Sequence, residues 1–180
     1  MSEIDFFANR LLEEAKRFLE KGVDSQDSIA EAAYLHAALM LSFCALEAHV
    51  NALGEEFSEA IGLSAHEKGI LLEQAVRLEA GQFQLRQTLK IARLDDRIEF
   101  LHTKFSGIPV DHTSDWWREL GTAMDLRNKL THAKNVPPIS QAAVKNAVQA
   151  VIDTLEALYQ AIYKRKFPPA GRGLQSQLTF

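Results

Sequence analysis

The chain has 180 residues, 47% of them apolar, so it can bury one sizeable core and is expected to form a single domain. Its formal net charge of −4 excludes a protein that coats nucleic acid through a strongly basic surface, since such binding needs clustered Lys and Arg. The single cysteine, Cys44, excludes a disulfide framework and favours a reducing, cytoplasmic location.

No membrane segment is expected. The start of the chain, Met1 to Asp5, is acidic and lacks the basic and apolar regions of a signal peptide. The longest charge-free apolar stretch, residues 32–46, is shorter than the roughly 18 residues that a membrane span requires. The sequence therefore predicts a soluble protein, with Cys44 in the core of a long apolar helix.

Apolar residues recur at three- and four-residue spacing along most of the chain, which predicts helices. The first helix is expected over about residues 4–19, with Gly22 as its stop. A second, long helix is predicted from about residue 27 to residue 53, closed by Gly54.

Residues 55–94 are ambiguous. Apolar residues at 57–63 suggest a short helix, and residues 71–94 are helical in composition but are interrupted by Gly81. We find no run with the period of two that indicates a strand, so we expect a long excursion or a broken helix here.

Three more helices are predicted, over about residues 95–105, 115–133 and 140–162, with Pro137-Pro138 separating the last two. The sequence thus predicts an all-α fold: an up-down bundle of about five main helices, forming one domain over residues 1–163.

Residues 164–180 differ in composition from the rest. They carry four basic and no acidic residues, a charge of +4. Because the net charge of the chain is −4, residues 1–163 carry −8. Prolines and glycines within them predict an irregular, flexible basic tail. Two alternatives are an arm that attracts phosphate and an extended strip, Leu174 to Phe180, that packs on a partner.

The helix over residues 115–133 carries the most informative string, Arg127-Asn128-Lys129-Leu130-Thr131-His132. A guanidinium can hold phosphate in a bidentate fork, and an imidazole can move protons near neutral pH. On an ideal helix Arg127 lies about 20° from Leu120, in the middle of the apolar stripe, and about 140° from His132. Because the two side chains cannot hold one phosphate from one regular helix, we expect a homodimer whose second copy completes the site.

Glu47 is a candidate partner for Arg127. It lies about 40° from Phe43 on the second helix, inside the apolar stripe, where a carboxylate is unusual unless it is paired. Two interpretations stay open: a buried Glu47–Arg127 ion pair that fixes how the helices pack, and a role for Glu47 in the site.

No metal or other cofactor is expected. The sequence has no H-E-x-x-H or C-x-x-C string and no nucleotide-binding or nucleophile-elbow motif. Five histidines are scattered without the spacing of metal ligands: His36, His49, His66, His102 and His112.

The segment from Arg127 to His132 resembles the signature of HEPN domains: an arginine, a polar residue, and a histidine four to six positions after the arginine. The all-helical order, the long second helix and the place of the motif before the last helix are similar as well. The resemblance implies a helical bundle that dimerises so that two motifs face each other. It often implies a metal-independent endoribonuclease of toxin–antitoxin, abortive-infection or other defence systems.

The resemblance further implies that His132 transfers protons, that Arg127 binds the scissile phosphate and that Asn128 assists. Glu47 joins this catalytic set on helix geometry alone. Since RNA supplies its own 2′-hydroxyl nucleophile, the product would carry a 2′,3′-cyclic phosphate. The alternative is a noncatalytic helical module that binds RNA or a protein partner, such as a nucleotidyltransferase-type antitoxin.

Overall fold

Helices form most of the structure, a computed structural model that describes residues 3–180. Met1 and Ser2, which begin the acidic N-terminus, lie outside the described residues. The elements in chain order are α1 (Glu3–Asp24), α2 (Ser28–Phe57), α3 (Ala65–Leu71), β1 (Gln74–Glu79), β2 (Gln82–Leu89), α4 (Leu94–Ser106), α5 (Asp115–Thr131), α6 (Gln141–Tyr163) and the 3-10 helix Pro168–Arg172.

The core lies around α2 and α6. Helix α1 packs along α2, α5 packs along α6, and α6 also contacts α2 and α4. The inward stripe of α6 alternates steps of four and three residues, the period of one helix face. Burying each such side chain contributes about 1.5–3 kcal/mol. The fully buried residues of this stripe are Val144, Val148, Val151, Leu155 and Leu158.

Helix α2 is long and apolar enough, at a mean hydropathy of 1.6 over its most apolar window, to span a membrane by length and composition. In the structure it is the core helix, which is compatible with a soluble protein. Only 39% of that window is buried, however. Its other residues form an outward face on which Ala33 and Cys44 are exposed. The prediction that Cys44 lies in the core is therefore wrong, because the apolar residues of α2 extend beyond the face that the fold covers.

Two glycines that were predicted to end helices lie inside them. Helix α1 continues past Gly22, and α2 continues past Gly54. A Cβ atom at Gly22 would lie 3.0 Å from Leu35 Cδ2, and one at Gly54 would lie 2.4 Å from the carbonyl oxygen of Leu71. Gly54 is needed because the Leu71 backbone approaches the helix closely, and at Gly22 the Leu35 side chain leaves little room; neither glycine ends its helix.

Of the two expectations for residues 55–94, a long excursion or a broken helix, the broken helix is wrong. The chain instead forms the short helix α3, which starts with a capping box between Ser64 and Glu67, and the antiparallel hairpin β1–β2. Ala80 and Gly81 form the two-residue turn, both with positive φ, at 48° and 80°. The cross-strand apolar pairs Val76–Leu85 and Leu78–Phe83 show that a period of two was present in the sequence.

The stem of the hairpin is closed at Glu73. Its carbonyl oxygen accepts a hydrogen bond from Lys90 N–H at 2.7 Å, and its carboxylate accepts one from Ala92 N–H at 3.2 Å. Arg97 of α4 pairs with the same carboxylate at 3.3 Å. These contacts fix where the hairpin leaves and rejoins the helical body.

Residues 164–180, predicted to be a flexible tail, pack against their own chain instead. The Phe167 side chain is 1% exposed and lies between the rings of His49 and Tyr159, at centroid distances of 5.2 and 4.9 Å. Glu13 of α1 accepts hydrogen bonds from Arg172 Nη2 and from the Gln177 N–H. A buried aromatic ring and a shared carboxylate therefore hold the segment in place.

Gly54→Ala should destabilise the protein by about 1–3 kcal/mol, the usual cost of overpacking, since the backbone of Leu71 must move to admit the methyl group. Gly121→Ala is the matched control, because Gly121 is also helical and a Cβ there meets nothing within 4 Å. That control should gain up to about 1 kcal/mol from helix propensity. Urea unfolding of both variants measures the difference. Equal effects would contradict the close approach of α2 to Leu71.

Candidate functional site

Three of the four residues predicted for the site line one cavity. Glu47 from α2 and Arg127 and Asn128 from α5 share a cavity of about 550 Å³ with the start of α4 and the stem of the hairpin. His132, the fourth residue, is not part of its lining. A single chain thus brings Arg127 and Asn128 together with Glu47, but not with His132.

Arg127 is the most unusual side chain of this cavity. It is 21% exposed, and its guanidinium carbon lies 5.1 Å from the centroid of the Phe43 ring, a cation–π distance. Within residues 3–180 the guanidinium makes no hydrogen bond, and its Nε is buried without a partner. Since buried donors are nearly always bonded in folded proteins, Arg127 is a candidate to bind a ligand.

The carboxylate of Glu47 is the nearest acid to Arg127. Its Oε1 lies 3.9 Å from Arg127 Nη2, so the prediction that the two lie within salt-bridge reach is confirmed, and within one chain. The alternative of a buried ion pair does not hold, because the Glu47 side chain is 51% exposed. A contact of this length and exposure contributes less than about 1 kcal/mol.

His132 caps the C-terminal end of α5, which ends at Thr131. Its backbone N–H donates to the carbonyl oxygen of Asn128 at 2.9 Å, and its φ of −113° leaves the regular helix. The residue is exposed, and among the described residues its imidazole has no hydrogen-bond or ion-pair partner. The ring is therefore not a packing element of the single chain.

Sequence reasoning missed Arg97, which lines the same cavity. Arg97 is 4% exposed; its Nη2 donates to the Leu71 carbonyl at 3.0 Å, and its Nη1 lies 3.3 Å from Glu73 Oε2. Its Nε is buried without a partner, as in Arg127. Burial lowers the pKa of Arg97, while the charges of Glu73 and Glu47 raise it.

The signal that could have identified Arg97 is its position on α4. It follows Leu94 by three residues and precedes Leu101 by four, so it lies within the apolar stripe of that helix. Arg127 likewise lies within the apolar stripe of its helix, α5.

Helix α5 exposes most of its surface. Leu120 and Ala123 are its only buried residues among the 17 of the helix. The helix packs chiefly on α6, so the face with Asn128 is left uncovered.

Within residues 3–180 no group of three or more His, Cys, Asp or Glu side chains is arranged to hold a metal ion.

Comparison of the chain with protein-family models, with curated proteins and with solved structures found no match.

Glu47→Gln should change the free energy of unfolding by less than about 1 kcal/mol, because the contact with Arg127 is long and half exposed. Glu13→Gln is the contrasting variant, since Glu13 pairs with the fully buried Lys16 as well as with Arg172. Its loss leaves a buried ammonium uncompensated and should cost about 3–5 kcal/mol. Thermal and urea unfolding at pH 7 measure both. A large loss for Glu47→Gln would make the Glu47–Arg127 pair structural.

Proposed function

We propose that the protein is a metal-independent endoribonuclease of the HEPN type, which cleaves single-stranded RNA at a composite site between two copies of the chain. The observation that carries the proposal is the Arg127 guanidinium, mostly buried over Phe43 and without a hydrogen bond. Such a group can bind a phosphate through bidentate hydrogen bonds, and Asn128 lines the same cavity.

The chemistry needs few protein groups. His132 of the second copy takes the proton of the RNA 2′-hydroxyl as the O2′–P bond forms. Arg127 stabilises the negative charge that builds up on the phosphate, and the Asn128 amide assists with a further N–H. The P–O5′ bond then breaks, the 5′-oxygen takes a proton from water, and the imidazolium returns its proton to the hydroxide that is left. The products carry a 2′,3′-cyclic phosphate and a 5′-hydroxyl.

Two surfaces support the homodimer. Helix α5 has a mostly uncovered face, and the apolar outward face of α2 includes the exposed Ala33 and Cys44. A twofold axis near the end of α5 would cover apolar surface and bring His132 of one copy to the cavity of the other. Isologous packing of this kind makes two equal sites.

The resemblance to HEPN proteins extends the proposal to biology. The protein would act in the cytoplasm as a toxin or defence effector, with RNA as its substrate and an antitoxin protein as a further partner.

One observation favours the alternative, a noncatalytic module that binds a protein partner or RNA. The Glu47 carboxylate stands 3.9 Å from Arg127 and opposes an approaching phosphate. In that case the motif would only order the dimer or receive the partner.

The purified protein should cleave single-stranded RNA in the presence of a chelator. His132→Ala should lower the rate by about 10²–10⁴-fold, the usual effect of losing a general acid or base, and Arg127→Ala should be similarly damaging. His112→Ala is the control, because this exposed histidine pairs with Glu99 away from the cavity. Its replacement should leave the rate of RNA cleavage unchanged. Chromatography of the products should reveal the cyclic phosphate.

Equal, slow degradation by wild type and by His132→Ala protein would refute the nuclease and leave the noncatalytic module. Light scattering supplies a second check, since the composite site requires a dimer. A strict monomer at micromolar concentration in the presence of RNA would remove that site.

A further inference from the structure

We propose that Arg97 and Arg127 form a two-arginine phosphate pocket, in which Glu47 is a displaceable counter-ion that gives way to a backbone phosphate of single-stranded nucleic acid. This inference rests on the proposed function for its ligand, and it adds a second phosphate-binding arginine and a role for Glu47.

The guanidinium groups of Arg97 and Arg127 are in a similar state. Both line the same cavity, and both have a buried Nε with no hydrogen-bond partner within residues 3–180. A buried N–H that is left unbonded costs about 1–3 kcal/mol. Both arginines with such a donor line this one cavity, and we infer that a phosphate bound there is their acceptor.

The Arg97 side chain is held rigidly. The Leu71 carbonyl and Glu73 each engage one of its Nη atoms, and Gly54 leaves the space that this carbonyl occupies. Glu73 is in turn fixed by the hairpin stem. The positive charge of Arg97 is therefore in place before a ligand arrives, which lowers the entropic cost of binding.

The Glu47 side chain, in contrast, is held loosely. It is half exposed, lies beyond hydrogen-bond distance from Arg127, and accepts no hydrogen bond from a described residue. Its charge is nonetheless felt by Arg97, whose pKa it raises against the lowering effect of burial. A phosphate can replace this carboxylate with shorter, bidentate hydrogen bonds.

The charges of the cavity agree with a displacement. Arg93 is paired with Asp95 by two hydrogen bonds, whereas Arg97 meets Glu73 in a single contact of 3.3 Å. When Glu47 turns outward, the positive charge of Arg127 is the one left uncompensated. Asn51 and Asn128 line the same cavity and offer amide N–H groups to a phosphate oxygen.

The test uses a short single-stranded oligodeoxynucleotide, which has the same phosphates as RNA but no 2′-hydroxyl and so is not cleaved. Glu47→Gln should tighten its binding about fivefold, because a like charge is removed from the pocket. Glu55→Gln is the matched control: it removes an equal charge from an exposed position two turns further along α2, outside this cavity. The affinity of the Glu55→Gln protein for the oligodeoxynucleotide should change much less, by the amount expected from net charge alone.

A measurement on the wild-type protein avoids variants of Arg97 that fail to fold. In an NMR titration with inorganic phosphate, the Nε–Hε signals of both Arg97 and Arg127 should shift together and saturate. A shift of Arg127 alone, or unchanged or weaker oligodeoxynucleotide binding by Glu47→Gln, overturns the pocket.

The outcomes also separate this inference from the proposed nuclease. Tighter binding by Glu47→Gln without any RNA cleavage supports the pocket and refutes the nuclease. RNA cleavage that depends on His132, with no effect of Glu47→Gln on oligodeoxynucleotide affinity, refutes the pocket alone.

Discussion

Burial of α2 between α1 and α6 is the constraint on which the rest of the structure depends. The same helix supplies the core and the floor of the candidate site, because Phe43 is 2% exposed and also lies under the guanidinium of Arg127. The position of Arg127 is therefore set by core packing, whose close contacts admit little displacement. Gly54, at the far end of α2, lets Leu71 approach and so places the carbonyl that holds Arg97.

Ionic contacts in this protein are of two kinds. Around Glu13, burial raises the pKa of the carboxyl group, but hydrogen bonds from the Gln177 backbone and Arg172 and the charge of Lys16 bring it below its usual value. That network ties the C-terminal segment to α1, with Lys16 fully buried and Glu13 nearly so. The contact between Glu47 and Arg127 is long and open instead, which is the arrangement expected where a ligand must compete for the arginine. The charges that hold the C-terminal segment are thus separate from those at the candidate site.

Sequence reasoning succeeded where the information is local. The helices α4 to α6 follow from apolar spacing and caps, and two angles on ideal helices were enough to place Glu47 near Arg127. It failed where the cause is distant in the chain: Gly54 faces Leu71, 17 positions away, and the pocket for Phe167 is made partly by His49 of α2. The hairpin was missed because its strands are rich in glutamine and its turn, Ala80-Gly81, lacks the usual asparagine or aspartate.

The proposed active site takes Arg127 from one copy of the chain and His132 from the other. The direct test is a heterodimer of Arg127→Ala and His132→Ala chains, co-expressed with different tags and purified through both. Each parent homodimer lacks one group in both sites, whereas the heterodimer retains one complete site. Its rate of RNA cleavage should reach about half that of wild type, since one of two equivalent sites is intact. A heterodimer as inactive as its parents would contradict the shared site.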